Sequence, residues 1–336
     1  MTQIPEQMTA VRLNAHSIDS LSVEKIPVPK PGPDEVLIKM AASPINPSDL
    51  GLISGSTDYI SSNLPATPGV EGSGTVVQAP KGMMGRYLMG KRVACTRAGS
   101  SGTWAEYMVT KAQLALPLNN DVSLEQGAMS VVNPLTALAF LDIAKKGGHR
   151  TLINTAAASM LGQMLQRLAV QAGIQIVHIV RRQEHVELLQ KIGASIVLNS
   201  TDEDFKQQLK DVCKKHQVRL ALDAIIGPMT DILLGAIQPG GKVIIYSALS
   251  SEQPCVNFNH FVGPDKSIEG FLLTTWFSKR NFLQNLMLWR QAQKMMGGAL
   301  QSEVRQRVSL EEAPQAVANY ATNMSGGKIL VVPETA

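Results

Sequence analysis

Apolar and polar positions alternate in two different rhythms along this chain. From residue 1 to about 120 the apolar runs are short and alternating, as in "EVLIKMA", "GSGTVVQ", "KRVACTR" and "AEYMVT", with Gly and Pro between them. This pattern predicts an all-β domain. The proline-rich "KIPVPKPGPDEVLI" suits an extended edge segment better than a central strand. After about 121, "SLEQGAMSVVNPLTALAFLDIA" carries apolar residues at helical spacing. "RTLIN", "IQIVHIV", "SIVLN", "RLALDAI" and "KVIIYSA" then follow as continuous apolar runs separated by helix-length segments. Such strands fit a parallel sheet covered on both faces by helices. The tail holds a helix, "LWRQAQKMMGGAL", and a strand, "GGKILVVP", that can pair back onto the first domain. The expected fold is therefore α/β: a β-rich domain over 1–120 with a C-terminal return over 290–336, and a doubly wound parallel sheet over 121–289.

Composition narrows the function classes. The 336 residues exceed the size at which one core keeps growing, and 44% of them are hydrophobic. No apolar run approaches the roughly 20 residues of a membrane span, and the start "MTQIPEQMTAVRL" has neither a basic nor an apolar leader region, so a cytoplasmic protein without a membrane partner is expected. The 31 basic and 27 acidic residues give a net charge of +4 without one basic tract, and aromatics are 4%. Nucleic acid is a poor partner on these grounds. Cys95, Cys213 and Cys255 are too few and too far apart for a disulfide framework or a four-thiolate zinc site.

The first strand-to-helix turn of the second domain is where a dinucleotide's phosphates are expected. "RTLIN" leads into "TAAASMLGQMLQRLAVQAG", and a helix N-terminus offers unpaired N–H groups to a pyrophosphate. The slots of the usual GxGxxG hold Ala157, Ser159 and Gly162, so only the last glycine is kept, and an Ala-rich helix start is the plain alternative. After the next strand, where NAD-binding domains carry an acidic residue, "IVRRQE" places Arg181 and Arg182. A guanidinium fork would clasp a 2′-phosphate that a carboxylate would repel, which favours NADPH. A solvated arginine pair at a strand end is the alternative.

Taken together, "INPSD" (45–49), "LPATPGVEGSG" (64–74), "GTWAEYMV" (102–109), "NPLTAL" (133–138), "NTAAASMLGQ" (154–163), "VRR" (180–182), "LDAIIG" (222–227), "IQPGGKVIIYS" (237–247) and "GGKILV" (326–331) carry a resemblance over essentially the whole chain. The sequence resembles the zinc-free branch of the medium-chain dehydrogenase/reductase superfamily, which includes quinone oxidoreductases and 2-enoyl thioester reductases. "NPLTA", the turn that follows it and "EGFLLTTWF" are more similar to the enoyl reductases. The resemblance implies a GroES-like β-rich catalytic domain, a Rossmann-type NADPH domain and a homodimer. It also implies cofactor contacts from Asn154, Ala158, Ser159, Met160, Gly162, Arg181, Arg182, Ser247 and Lys328.

In zinc-dependent relatives a cysteine would stand near Asn46 and a histidine at Val70, so no metal is expected here. Hydride transfer needs no metal when the acceptor is already polarised, as in an enoyl thioester, an enone or a quinone, whereas an alcohol would need a Lewis acid or strong base. These three small-molecule classes are the expected substrates. Charge then develops on the carbonyl oxygen and a proton must reach the α carbon. The resemblance makes Tyr59, in "SGSTDYISS", the proton donor. The family places that tyrosine two residues after the glycine matching Gly55, and here it stands four after, so the loop carries an insertion and a tyrosine packed on its neighbours is the alternative. The resemblance further implies that Asn46 and Thr136 line the nicotinamide end, where each could equally be a turn or cap residue, and that Trp276 and Phe277 shape an acyl pocket. The six dispersed histidines fit core or surface roles. Three readings follow: an NADPH-dependent reductase of an activated C=C, an NADPH:quinone oxidoreductase, or a non-catalytic NADPH-binding protein, the last motivated by the eroded glycine motif and displaced tyrosine.

Overall fold

The structure, a computed structural model, describes residues 4–56, 63–99, 101–250, 252–324 and 326–333. The chain divides into two compact units, Met1–Val132 with Gln301–Ala336, and Asn133–Leu300.

In the first unit, β1 (Gln7–Leu13) and β2 (Leu21–Pro27) form an antiparallel ribbon. β3 (Glu35–Pro44), α1 (Pro47–Ile53), β4 (Glu71–Gln78), α2 (Met83–Leu88), β5 (Arg92–Thr96), β6 (Tyr107–Lys111), β7 (Ala115–Pro117) and α3 (Leu124–Ala128) follow. α1 starts where the sequence provides for it. Pro47 occupies the first turn, where a missing N–H costs nothing, and the Asp49 carboxylate accepts the Asn46 N–H at 2.7 Å. The unit's core gathers Val11, Leu13, Ile45, Leu52, Trp104 and Tyr320.

The second unit begins in α4 (Val132–Lys146) and alternates strand and helix: β8 (Thr151–Asn154), α5 (Met160–Ala172), β9 (Gln175–Val180), α6 (Gln183–Lys191), β10 (Ile196–Asn199), α7 (Phe205–Lys215), β11 (Leu220–Asp223), α8 (Pro228–Ala236), β12 (Lys242–Ile245), β13 (Ser267–Gly270), α9 (Leu273–Ser278) and α10 (Phe282–Met295). The strands form one parallel sheet in the order β10-β9-β8-β11-β12-β13. β8 and β11 are buried at every position, which is why they read as continuous apolar runs. The order reverses between β8 and β11, and the crevice at the carboxyl ends of such strands is where open α/β sheets bind ligands.

The chain then returns through β14 (Val304–Val308), α11 (Ala313–Thr322) and β15 (Lys328–Val331). β15 pairs antiparallel with β3, Leu330 opposite Pro44, so the C-terminal return is as the sequence pattern suggests. The first unit's larger sheet runs β14-β15-β3-β4-β5-β7, with β6 also on β3.

Both divisions between the units fall later than the change of sequence texture at 120 and 290. α3 belongs to a helix-rich stretch, yet it packs on β3 and β4, and Glu71 of β4 accepts the N–H groups of Val131 and Val132 at 3.1 and 2.9 Å. At the other end α10 and the residues after it stay with the second unit, where Arg167 donates to the Ala299 carbonyl. β13 and β14 had no clear apolar signal, because one is an exposed edge and the other alternates arginine and glutamine. No helix among the described residues is long and apolar enough to cross a membrane.

Candidate nucleotide site and buried polar cluster

The turn after β8 is held by its own side chains. Ser159 is the N-cap of α5, its hydroxyl oxygen accepting the Gly162 N–H at 3.1 Å, and Ala156 sits in the left-handed region with φ 48°. A Cβ on Gly162 would lie 2.2 Å from the Ala157 carbonyl oxygen. This explains why the last glycine of the fingerprint is kept while the others are replaced. Ala158 and Met160 complete the turn and open the helix.

Asn154 ends β8 and is 1% exposed. Its Oδ1 accepts from the Tyr246 hydroxyl at 3.4 Å, and its Nδ2 has no partner among the described residues. A buried N–H left unpaired costs about 1–3 kcal/mol, so the site has a donor that a ligand oxygen would satisfy. Tyr246 is held edge-on by Phe140, with ring centroids 4.9 Å apart, and burial pushes its hydroxyl pKa up. The turn after β11 is built around the buried Asp223, which accepts from Thr155 Oγ1 (3.1 Å), Thr230 Oγ1 (2.8 Å) and the Ile225 and Ile226 N–H groups. Thr155, Asp223 and Tyr246 were not singled out from the sequence. Asp223 lies within the "LDAIIG" motif, but only the fold shows what its carboxylate fastens.

A cavity of about 420 Å³ opens between the carboxyl ends of β10 and β11. Ile225, Ile226, Met229 and Phe205 give it apolar walls, Asp202, Glu203 and Lys206 add charged ones, and Ser200 and Ser250 lie on its edge. The Ser200 N–H bonds the Val180 carbonyl at 2.8 Å, which places this edge beside the end of β9, where Arg181 and Arg182 follow. Both arginines are exposed. Arg182 is the N-cap of α6, and its Nη1 lies 3.3 Å from Glu184 Oε1.

Elsewhere in the second unit, Thr136 is buried on α4 and Ser247 is half-buried after β12. Trp276 and Phe277 pack edge to face on α9, centroids 5.5 Å apart. The Arg280 guanidinium covers the Trp276 ring at 4.3 Å and pairs with Asp142 at 3.2 Å, so this aromatic pair is fixed locally. Among the described residues no hydrogen bond joins Thr136, Ser247 or Trp276 to the turn after β8.

The first unit holds a second polar assembly. Asn46, Asp49, Glu71 and Lys328 are each buried. Asn46 Nδ2 donates to Glu71 Oε1 at 3.0 Å, Lys328 Nζ donates to Asn46 Oδ1, and Asp49 Oδ1 accepts the Val70 N–H at 2.9 Å. Burial raises the pKa of Asp49 to about 7 despite the Asn46 N–H that it accepts, and the Glu71 charge adds to the rise. Burial likewise pushes Glu71 up against the pull of Lys328, and pushes Lys328 down against the two carboxylates. Asn46 and Lys328 are thus brought together in the first unit, which gives Lys328 carboxylate neighbours that its expected role as a cofactor contact did not include. Its long apolar stem and late position in the sequence gave no sign of two carboxylate neighbours. Asp49 could have been found, since Asn-Pro-x-Asp is a helix-start pattern. Tyr59 lies outside the described residues.

Among the described residues no three His, Cys, Asp or Glu side chains gather to hold a metal ion. Near Val70 the available oxygens belong to Asp49 and Glu71, which already accept backbone N–H groups and face an ammonium. This donor set does not fit zinc, which takes thiolate, imidazole and carboxylate ligands in a tetrahedron.

A β-rich unit and a unit built on a doubly wound parallel sheet, with a capped, glycine-closed turn after its central strand, give the architecture of a dehydrogenase-type fold. Sequence models of known families match both parts: the alcohol dehydrogenase GroES-like domain over residues 32–120 and the zinc-binding dehydrogenase domain over 161–289. A mitochondrial enoyl-[acyl-carrier-protein] reductase of Xenopus tropicalis is 30% identical over 77% of this chain and 75% of its own length, and one of Caenorhabditis elegans is 31% identical over 74% and 71%. Against several other such reductases the match spans about two thirds of their length. A solved Mesorhizobium loti protein provisionally described as an NADPH:quinone reductase is 34% identical, with a TM-score of 0.92 over 99% of this chain and 100% of that one. The chain belongs to the medium-chain dehydrogenase/reductase superfamily, in the branch of enoyl reductases and quinone oxidoreductases.

Proposed function

We propose that the protein is an NADPH-dependent reductase that delivers hydride to the activated C=C of a 2-enoyl thioester or enone. The observation that carries the nucleotide part is the site at the sheet reversal: a capped turn closed by Gly162, an unpaired buried Asn154 Nδ2, and a partly apolar cavity whose edge leads to Arg181 and Arg182. We assign adenine to the cavity's apolar side, which would set its ribose toward the arginine pair and supports NADPH over NADH. NADPH supplies the hydride when bound.

The chain's own residues then bind, orient and handle the proton. Ser159, Met160 and Gly162 present the start of α5 to the pyrophosphate, with Ala158 small enough for close approach. We assign Ser247 and Thr136 to the nicotinamide end. Trp276 and Phe277 are assigned to the acyl group, and Tyr59 to the proton. The donor set around Asp49 and Glu71 supports a reaction without zinc. The exposed edge strand β13 supports pairing with a second copy.

The test is loss of NADPH absorbance over a panel of enoyl thioesters, enals and quinones, with and without a chelator. Turnover confined to quinones would favour the second reading, which the 34% identity to the Mesorhizobium loti protein supports. Tight NADPH binding with no turnover on any acceptor would favour a binding protein.

A further inference from the structure

The turn that opens α6 contains more than two arginines. Glu184 Oε1 lies 3.3 Å from Arg182 Nη1 and 3.7 Å from His185 Nε2, so one carboxylate oxygen is shared between a guanidinium and an imidazole. Arg181 stands directly before them. A guanidinium and an imidazole therefore share a single anion that belongs to the protein itself, and Arg181 lies near enough for its charge to act on the same imidazole. The Arg182 and Glu184 side chains are 58% and 67% exposed, while His185 is only 20% exposed. An exposed pair of this kind contributes about 0.2–1 kcal/mol, little enough for a more highly charged anion to replace.

We propose that Glu184 holds the place of an anion in the free protein, and that the 2′-phosphate of NADPH displaces it, with His185 taking a proton from solvent to become the third cation of the site. The inference rests on the NADPH reading above and extends it to how the two cofactors are told apart. α6 packs on β9 and β10, and the charged groups that act on the His185 ring are Glu184, Arg182 and Arg181. Burial holds the ring below its ordinary value, the two arginines act in the same direction, and Glu184 alone opposes them. Exchanging a single carboxylate charge for a phosphate of nearly two negative charges turns this balance toward the protonated ring. NADH lacks the phosphate, so Glu184 stays in place and no proton moves.

The test is calorimetric titration of the whole protein at pH 7.5 with NADPH and with NADH, in buffers of different ionisation enthalpy. NADPH should take up a fraction of a proton more than NADH, and His185→Gln should abolish the difference. The phosphate itself has a pKa near 6 and could only release a proton on meeting cations, so the sign separates the two sources. Glu184→Gln should tighten NADPH about 1.5- to 5-fold, the equivalent of the lost internal pair, and leave NADH unchanged. Preference for NADPH with heats independent of buffer, or with affinity unchanged or weakened in Glu184→Gln, would overturn the proposal while leaving the arginine site standing. Equal binding of NADPH and NADH would instead remove the NADPH reading, and this proposal with it.

Discussion

Lys328 Nζ donates a hydrogen bond to Asn46 Oδ1 across 282 residues of sequence, and both side chains are buried. The bond continues through Asn46 Nδ2 to Glu71, whose other oxygen grips the Val131 and Val132 N–H groups where the chain enters α4. An ammonium thus balances a buried carboxylate pair in the region where zinc-dependent relatives are expected to place their metal.

Lys328→Met removes that cation while keeping most of the volume. Two buried carboxylates are left without it, so unfolding free energy should fall by about 3–5 kcal/mol, the cost of breaking a buried pair from one side. Denaturant titration near pH 7.5 measures this, and adding Glu71→Gln should recover part of the loss. A loss below about 1 kcal/mol would show that the carboxylates simply take up protons instead.

Gly162→Ala tests the phosphate turn. In an ordinary helix the change would be favourable, but here the new methyl meets the Ala157 carbonyl oxygen at 2.2 Å. The turn must shift, at a cost of about 1–3 kcal/mol of stability, and NADPH affinity should fall with it. Unchanged thermal stability together with unchanged affinity would mean that the turn adapts freely.

His178 lies inside β9, with Nε2 2.8 Å from Gln166 Oε1 and Nδ1 unpartnered, and burial lowers its pKa to about 4. The unfolded chain therefore binds more protons than the folded one between about pH 6.5 and 4. Stability should fall as pH drops through that window, by up to about 3 kcal/mol at its lower end. Since Asp49 titrates in the same range, the quantity to measure is the difference between wild type and His178→Leu at each pH. A difference that does not vary with pH would show that the ring is not held neutral.

Arg181→Ala and Arg182→Ala should each weaken NADPH by roughly 10- to 150-fold, the value of one charge-assisted hydrogen bond, and hardly affect NADH. Both nucleotides have to be compared at one ionic strength, because salt screens such contacts. Equal losses for both would mark the pair as a solvated strand end.

Tyr59→Phe should lower kcat for an enoyl thioester by about 10²- to 10⁴-fold, the usual range for a general acid, with NADPH affinity near wild type. A quinone should suffer less, since its proton can come from water. Normal turnover of the enoyl substrate would pass the role to another group.

Much of the molecule was legible without coordinates, for reasons of period and charge. Strands β3, β4, β8, β9, β11 and β12 announce themselves because burying one or both faces of a sheet forces alternating or continuous apolar runs. The turn after β8 shows because a strand, a small-residue turn and a helix must follow one another in sequence, and the arginines after β9 show because they stand next to it. These are local relations, and local order along the chain determines them. What only the tertiary structure decided depends on residues far apart: that α3 sides with the first unit, that Asp223 fastens the turn after β11, that Asn154 keeps an unpaired N–H beside Tyr246, and that Lys328 meets Asn46 and the charges of Glu71 and Asp49. A buried charge leaves no periodic trace, because its partner can enter from any strand the fold brings alongside, and only the folded backbone fixes which one it is.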